Sequence, residues 1–279
     1  MDKKICLMHA NCQGEELETL LGASAAFSSI YRIVRRTNYT REPVSREDLS
    51  SCSLFLYQRL DARWGELSSQ ALLGGLSGAC RALPVPNMFF KAYWPFWTPD
   101  GPIDFGDSLL NRLIDEGAPK EAILRVYLRA DLNAFADLRA GLEQTLKAEA
   151  DKDPENVFGI SSFIRENWKK RRLFHTVNHP GGELLIRAAQ SVLRRFALPP
   201  LSGAEIARAQ ADGVFPSYAD FDLPIHPGVA AFHGLNFAAP GSRFNVFGRL
   251  MTFEQYVSRY IDCRRNGFGD NFIGYLQMV

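Results

Sequence analysis

Residues 3–17 read Lys3-Lys4-Ile5-Cys6-Leu7-Met8-His9-Ala10-Asn11-Cys12-Gln13-Gly14-Glu15-Glu16-Leu17, and the fold is decided there. Ile5 to Met8 is an unbroken apolar run, the pattern of a strand covered on both faces within a parallel sheet. Leu17, Leu20, Leu21 and Ala25 then recur at helical spacing, and Glu15 and Glu16 suit the positive end of a helix. Asn11 to Gly14 supplies turn-forming residues between the two. Cys12 is thereby placed at a strand's carboxyl end and a helix's amino end, where open α/β sheets receive ligands. Backbone N–H groups at a helix start favour thiolate over thiol. Two readings stand for this residue: a nucleophilic sulfur, or a buried cysteine acting as a small hydrophobe.

The alternation continues outward. Strand-like runs at residues 30–35, 53–57 and 83–90 predict three further strands, the last preceded by a glycine-rich stretch at 72–78. Strands alternating with helices imply an α/β fold: a three-layer parallel sheet with helices on both faces. From 105 to 173 the periodicity turns helical, with the charged run 147–155 read as a solvated turn. A helix around 163–168 ends in Lys169-Lys170-Arg171-Arg172. No Pro/Gly/Ser-rich linker bounds this region, so it reads as a helical insertion or cap within a single domain spanning 1–279.

Composition narrows the function classes. At 46% hydrophobic and 23% charged residues the chain carries enough apolar material for a core. A net charge of +1 argues against a protein that coats nucleic acid or anionic membrane. No apolar run approaches the ~20 residues of a transmembrane helix, and the expectation is a cytoplasmic protein. The five cysteines contain no C-x-x-C pair, which fits neither a disulfide framework nor a zinc site, and Cys6 and Cys52 read as core. His175 and His179 would share a metal only on a helix, and Pro180 argues against one, so no metal is expected. Phosphate-binding, dinucleotide-binding and serine-elbow motifs are absent.

A catalytic Cys12 needs a base, because a thiol is only slightly ionised at neutral pH. His179, followed by Pro180 and two glycines, lies just ahead of a helix and is the first candidate. His175 contacts a ligand or caps the preceding basic helix. The alternative for both is local hydrogen bonding alone. Residues 86–97 form the densest aromatic run, containing Lys91 and Tyr93. Either they stack a flat ring with Lys91 on a phosphate, or they are an aromatic core. Lys170, Arg171 and Arg172 are a phosphate contact or a solvated helix end. Gln58, just past the third strand, is placed to hydrogen-bond a ligand.

Asn11-Cys12-Gln13 after the first strand, Pro86-Asn87 with Phe90-Lys91-Ala92-Tyr93, and Asn178-His179-Pro180 ahead of a helix together resemble the WcbI-type polysaccharide biosynthesis acetyltransferases. The outline is also similar to SGNH hydrolases, with cysteine for serine, and with Thr176 where that pattern has aspartate three residues before the histidine. The resemblance implies acetyl-CoA as co-substrate, a carbohydrate acceptor and a place in capsular polysaccharide assembly. It implies Cys12 and His179 as catalytic residues, with Gln13 on the oxyanion. It implies a coenzyme A contact set of Asn11, Gly14, Gln58, Lys91, Tyr93, Lys170, Arg171, Arg172 and His175. Two other classes stay open: a thiol-dependent esterase or deacetylase, and a non-catalytic sugar- or nucleotide-binding protein.

Overall fold

The computed structural model describes residues 2–100, 103, 105–211, 215, 220–268 and 271–278. The backbone contacts divide between two compact units. The first comprises Met1–Met88, Glu149–Ser162 and Gly181–Ser217, and the second Phe89–Ala148, Phe163–Pro180 and Tyr218–Val279.

The first unit is the α/β half. Strands β1 (Lys4–Ala10), β2 (Tyr31–Thr37), β3 (Leu54–Tyr57) and β4 (Arg81–Pro84) form one parallel sheet in the order β2-β1-β3-β4. The alternation of β1 explains the layers. Leu7 joins Phe55 of β3, Leu49 and Leu72 in a buried cluster on one face. Leu49 and Leu72 come from two short helices, α3 (Arg46–Ser51) and α4 (Ser69–Gly74), numbered after α1 (Gln13–Ala23) and α2 (Ala25–Ile30). Met8 and Ala10 point to the other face, against Gly14 at the start of α1. Leu17, Leu20 and Leu21 of α1 are buried there, and α1 packs on a helix at Gly182–Arg195 whose Leu184, Leu185 and Ala188 are also buried.

The fourth strand is shorter than the sequence pattern predicts. It ends at Pro84, Val85 N–H adds one last bond to the Tyr57 carbonyl, and Pro86 has no N–H to continue the ladder. Residues 86–90 therefore leave the sheet. The charged run at 147–155 also departs from expectation. Helix α7 (Leu138–Lys152), which follows α5 (Ser108–Asp115) and α6 (Lys120–Arg129), runs through most of it. Ala, Lys and Glu are strong helix formers, and charge at a helix surface looks like a solvated turn in sequence. Asp153 then turns inward, its two carboxylate oxygens accepting from Val157 N and Phe158 N at 2.8 Å each. Cys52 and Cys80, far apart in sequence, meet as free thiols 3.4 Å apart.

Gly14 is required by a close approach. A Cβ there would lie 2.7 Å from the Ala10 Cβ, inside any contact real side chains make. Gly14→Ala is expected to push α1 off the sheet and cost about 1–3 kcal/mol, as overpacking does. The check is a urea or thermal melt, in which an unshifted midpoint would refute the close-packing role.

The second unit combines helices with two-stranded hairpins. Its hairpins are β5 (Trp97–Thr98) with β6 (Gly106–Asp107), β7 (Phe174–Thr176) with β8 (His179–Pro180), and β9 (Arg243–Val246) with β10 (Arg249–Thr252). The aromatic run of the sequence supplies its core: Phe90 stacks on Phe174 with centroids 5.3 Å apart and meets the Tyr93 ring edge-on at 4.7 Å. Asp107 caps α5 and accepts a 2.5 Å hydrogen bond from the Tyr127 hydroxyl. No helix among the described residues is long and apolar enough to cross a membrane.

Candidate functional site

In the first unit the strand order places the site. The chain leaves β1 to pair on one side with β2, then returns to pair on the other with β3, so the connections diverge above the carboxyl ends of β1 and β3. Such a switch point opens a crevice. Asn11 follows β1 and Gln58 follows β3, and the two side chains close across it. Asn11 N–H donates to Gln58 Oε1 at 2.8 Å, and Gln58 Nε2 returns a bond to Asn11 Oδ1 at 3.1 Å. Asn11 Oδ1 also accepts from Gln13 N at 3.0 Å, fixing the turn that carries Cys12. Asn11 Nδ2 reaches Asn87 Oδ1 at 3.0 Å.

These bonds revise three expectations. Gln58 is buried and also accepts from Asn38, so its side chain braces the Cys12 turn. Gln13 is buried too, its Nε2 donating to the Met88 carbonyl at 2.7 Å and its Oε1 accepting from Met88 N at 3.0 Å. That two-way clamp replaces the oxyanion donor the sequence suggested. Gly14 serves helix–strand packing. Cys12 itself is half-buried at the N-cap of α1.

The sulfur is held as a thiol. Burial pushes its pKa up and the nearby Glu16 carboxylate pushes the same way, outweighing the stabilising N–H groups of Gln13 and Cys12. The helix start does aim its N–H groups at sulfur, as the sequence implies, yet the net direction is opposite to the one expected. Glu16 lies one turn along α1 and is itself buried. Glu16→Gln removes a like charge from the thiolate, so iodoacetamide alkylation of Cys12 at pH 7.5 is expected to accelerate severalfold. An unchanged alkylation rate would eliminate Glu16 as a control on the sulfur.

In the second unit, His179 lies in β8 with 5% exposure. Its Nδ1 is 2.5 Å from Thr176 Oγ1, and that hydroxyl donates to Asn178 Oδ1 at 3.2 Å. With the hydroxyl proton directed to Asn178, the imidazole proton belongs on Nδ1 and the ring's basic lone pair on Nε2. Thr176 thus fixes the orientation of the His179 ring. Burial, aided by His175, lowers the His179 pKa from 6.5 to about 4, so the ring is neutral at physiological pH.

His175 is neither at a helix end nor a cap; it sits in β7, with Nδ1 2.9 Å from Asp222 Oδ1. Burial pushes the Asp222 pKa up, but the His175 hydrogen bond and the Arg172 charge outweigh it and hold the carboxylate below its ordinary range. Arg172 has protein partners on several sides. It is largely buried, 3.2 Å from Asp222, and donates to the carbonyls of Phe174, His175 and Leu223. Tyr93 is fully buried, its hydroxyl donating to the Trp168 carbonyl at 2.5 Å, which makes it core. Arg171 bonds Asn167 Oδ1 at 3.1 Å, Lys170 is exposed, and half-buried Lys91 places its Nζ 6.0 Å from the Trp97 ring centroid. Among the described residues no cluster of His, Cys, Asp or Glu has the makings of a metal site.

A family model described as the polysaccharide biosynthesis enzyme WcbI matches residues 5–201. The chain belongs to the WcbI family. A solved structure of WcbI, described as a novel polysaccharide biosynthesis enzyme and as native protein without a disulfide bond between coenzyme A and one of its cysteines, has the same fold. It is 18% identical, with a TM-score of 0.68 over 99% of each chain. No curated protein matches. The WcbI match contains every first-unit site residue described above, from Asn11 to Asn87. Asn87, Glu16 and Asp222 escaped the sequence reading of site residues. Asn87 had a signal, as the first polar residue beyond the fourth strand, whereas Asp222 pairs with His175 from 47 positions away and leaves no local trace.

Proposed function

We propose that this WcbI-family protein is a coenzyme A-dependent acyltransferase that acetylates a sugar hydroxyl during polysaccharide assembly. The observation carrying the reading is a half-buried cysteine thiol at the sheet's switch point, on a turn locked by Asn11 and Gln58. The family's role in polysaccharide biosynthesis supports it, as does the description of the solved WcbI structure, which names coenzyme A and a cysteine together while stating that no disulfide joins them there.

Cys12 is the acyl acceptor. Its sulfur attacks the thioester carbonyl, the carbon–sulfur bond to coenzyme A breaks, and the thiol proton passes to the departing coenzyme A thiolate. His179, neutral at working pH and oriented by Thr176, is the proposed proton carrier. Thioester exchange is nearly balanced. A sugar hydroxyl then attacks the acyl-cysteine, its proton returning to sulfur. Backbone N–H groups at the start of α1 are the proposed donors to the developing oxyanion.

The first test is a thermal shift with acetyl-CoA and coenzyme A. Ligand at 100 times its dissociation constant should add about 2.7 kcal/mol of stability. No shift with either ligand would overturn the transferase reading, and turnover of an aryl acetate without coenzyme A would replace it with a thiol esterase.

A further inference from the structure

In the first unit two thiols stand side by side at the amino ends of β3 and β4. Cys52 is the C-cap of α3 and enters β3 two residues later, and Cys80 directly precedes β4. Leu54 pairs with Arg81, and Arg81 N–H donates to the Ser53 carbonyl at 3.1 Å, so the two segments are held level. The sulfurs are consequently 3.4 Å apart, although 28 positions separate them in sequence. A disulfide needs about 2.05 Å, so closing the pair takes a movement of roughly 1.4 Å, within the reach of side-chain rotation.

The other thiols of this unit do not compete for them. Cys6 is buried in β1 and alternates with Leu7, which shares a cluster with Cys52, so the Cys6 side chain faces the opposite side of the sheet. Cys12 follows the carboxyl end of β1, and the strands are parallel, which puts it at the other end of the sheet from the pair. The remaining contacts are weak ones for a thiol: Cys52 Sγ lies 3.3 Å from the Leu49 carbonyl, and Cys80 Sγ 3.8 Å from the Arg81 carbonyl. Access to the two sulfurs is unequal. Cys52 is buried in the cluster with Leu7, Leu49 and Phe55, while Cys80 is half-buried at its edge.

We infer that Cys52 and Cys80 are a redox-modification site, forming a reversible disulfide with a small-molecule disulfide as oxidant. Cys80, the more accessible sulfur, meets the oxidant first. Its thiolate attacks one sulfur of the small disulfide, that S–S bond breaks, and one small thiolate leaves. Cys52 then gives up its proton and attacks the Cys80 sulfur, the second small thiolate leaves, and the Cys52–Cys80 bond closes. Two electrons and two protons pass from the protein thiols to the oxidant, which ends as two thiols. Electrostatics favour the same order. Burial pushes the Cys52 thiol up to about 12; burial raises Cys80 as well, but a hydrogen bond from Cys52 offsets part of that rise, so Cys80 ionises first. The consequence is mechanical: β4 is an edge strand with one neighbour, and the bond fastens it to β3 and closes the loop that carries α4.

The test equilibrates the full chain in mixtures of oxidised and reduced glutathione, blocks free thiols with N-ethylmaleimide and digests with trypsin without reduction. Cleavage after Arg46, Arg59, Arg63 and Arg81 puts Cys52 on peptide 47–59 and Cys80 on peptide 64–81, so their linkage is read directly by mass. The expected product is these two peptides joined, two hydrogens lighter than their sum and separated again by dithiothreitol. In a Cys12→Ala background, which keeps glutathione off that sulfur, oxidised protein should melt roughly 5 °C or more above reduced protein. Cys52→Ala should abolish the rise and leave glutathione on Cys80, while Cys80→Ala should leave Cys52 unmodified in the folded chain. Recovery of both wild-type peptides as N-ethylmaleimide adducts at every glutathione ratio overturns the pair. So does glutathione that stays on wild-type Cys80, or linkage of either peptide to the one carrying Cys12.

Discussion

Replacing Cys12 with alanine is expected to lower acetyl transfer by at least about a thousandfold, as loss of a covalent nucleophile does. The melt should stay close to that of the wild type, because the turn is held by backbone and amide bonds of Asn11, Gln13 and Gln58 and not by sulfur. The variant should retain coenzyme A affinity, which separates loss of chemistry from loss of binding. Wild-type protein quenched in acid after brief exposure to acetyl-CoA should carry one acetyl group on the peptide containing Cys12. The alanine variant should carry none. The raised thiol pKa adds a second signature: single-turnover acylation should climb with pH beyond the ordinary thiol range, since the thiolate is the minor form at pH 7. Near-normal turnover by the alanine variant would show that the sugar hydroxyl attacks the thioester directly. His179→Gln should reduce acylation with unchanged coenzyme A binding, and His175→Gln is the matched control for a histidine held by a carboxylate.

The division between what the residues foretold and what they hid follows from the range of the interactions. The Ile5–Met8 run, the turn at Asn11 and the helix after it are local, and the structure has all three where the periodicity put them. The strand order is not local, so the crevice between β1 and β3 emerges only when Asn11 meets Gln58 across 47 positions. The same limit explains Gln13 and Arg172. Each looked available because a polar side chain beside a motif suggests a ligand. Each is instead bonded to carbonyls distant in sequence, Met88 for Gln13 and Leu223 for Arg172. Burial is the other hidden quantity. A helix start lowers a thiol pKa in any sequence, but how much hydrocarbon surrounds the sulfur and whether Glu16 faces it are tertiary facts. The aromatic run at 86–97 contained both readings, and packing against Phe174 assigned Phe90 and Tyr93 to core.

Acidification is expected to unfold this protein well above the pH at which its carboxylates protonate. His9, His179 and His233 are buried at 1%, 5% and 5% exposure, and burial lowers each pKa from 6.5 to about 4. Burial lowers His226 as well. Their sign is fixed by linkage. Between pH 6.5 and about 4 the unfolded chain holds protons on these rings that the folded chain excludes, so falling pH favours unfolding. The stability they contribute is complete above pH 6.5 and disappears as pH drops toward 4. For His179 alone the loss is about 2 kcal/mol by pH 5, against a total of roughly 5–15 kcal/mol for a folded domain. The other two act in the same direction. Asp222, whose pKa is depressed, withdraws its contribution only at still lower pH, which separates the two windows. Urea unfolding at pH 7.5, 6 and 5 should therefore show a midpoint that falls steeply over that range. His233→Phe keeps an aromatic ring beside Trp168, which His233 meets edge-on at 5.2 Å, and removes one titrating group whose Nε2 has no hydrogen-bond partner among the described residues. That variant should show a shallower slope than the wild type. A urea midpoint that does not move between pH 7.5 and 5 would mean that the buried imidazoles gain protons without opening the fold, and the electrostatics assigned to His179 would fall with it.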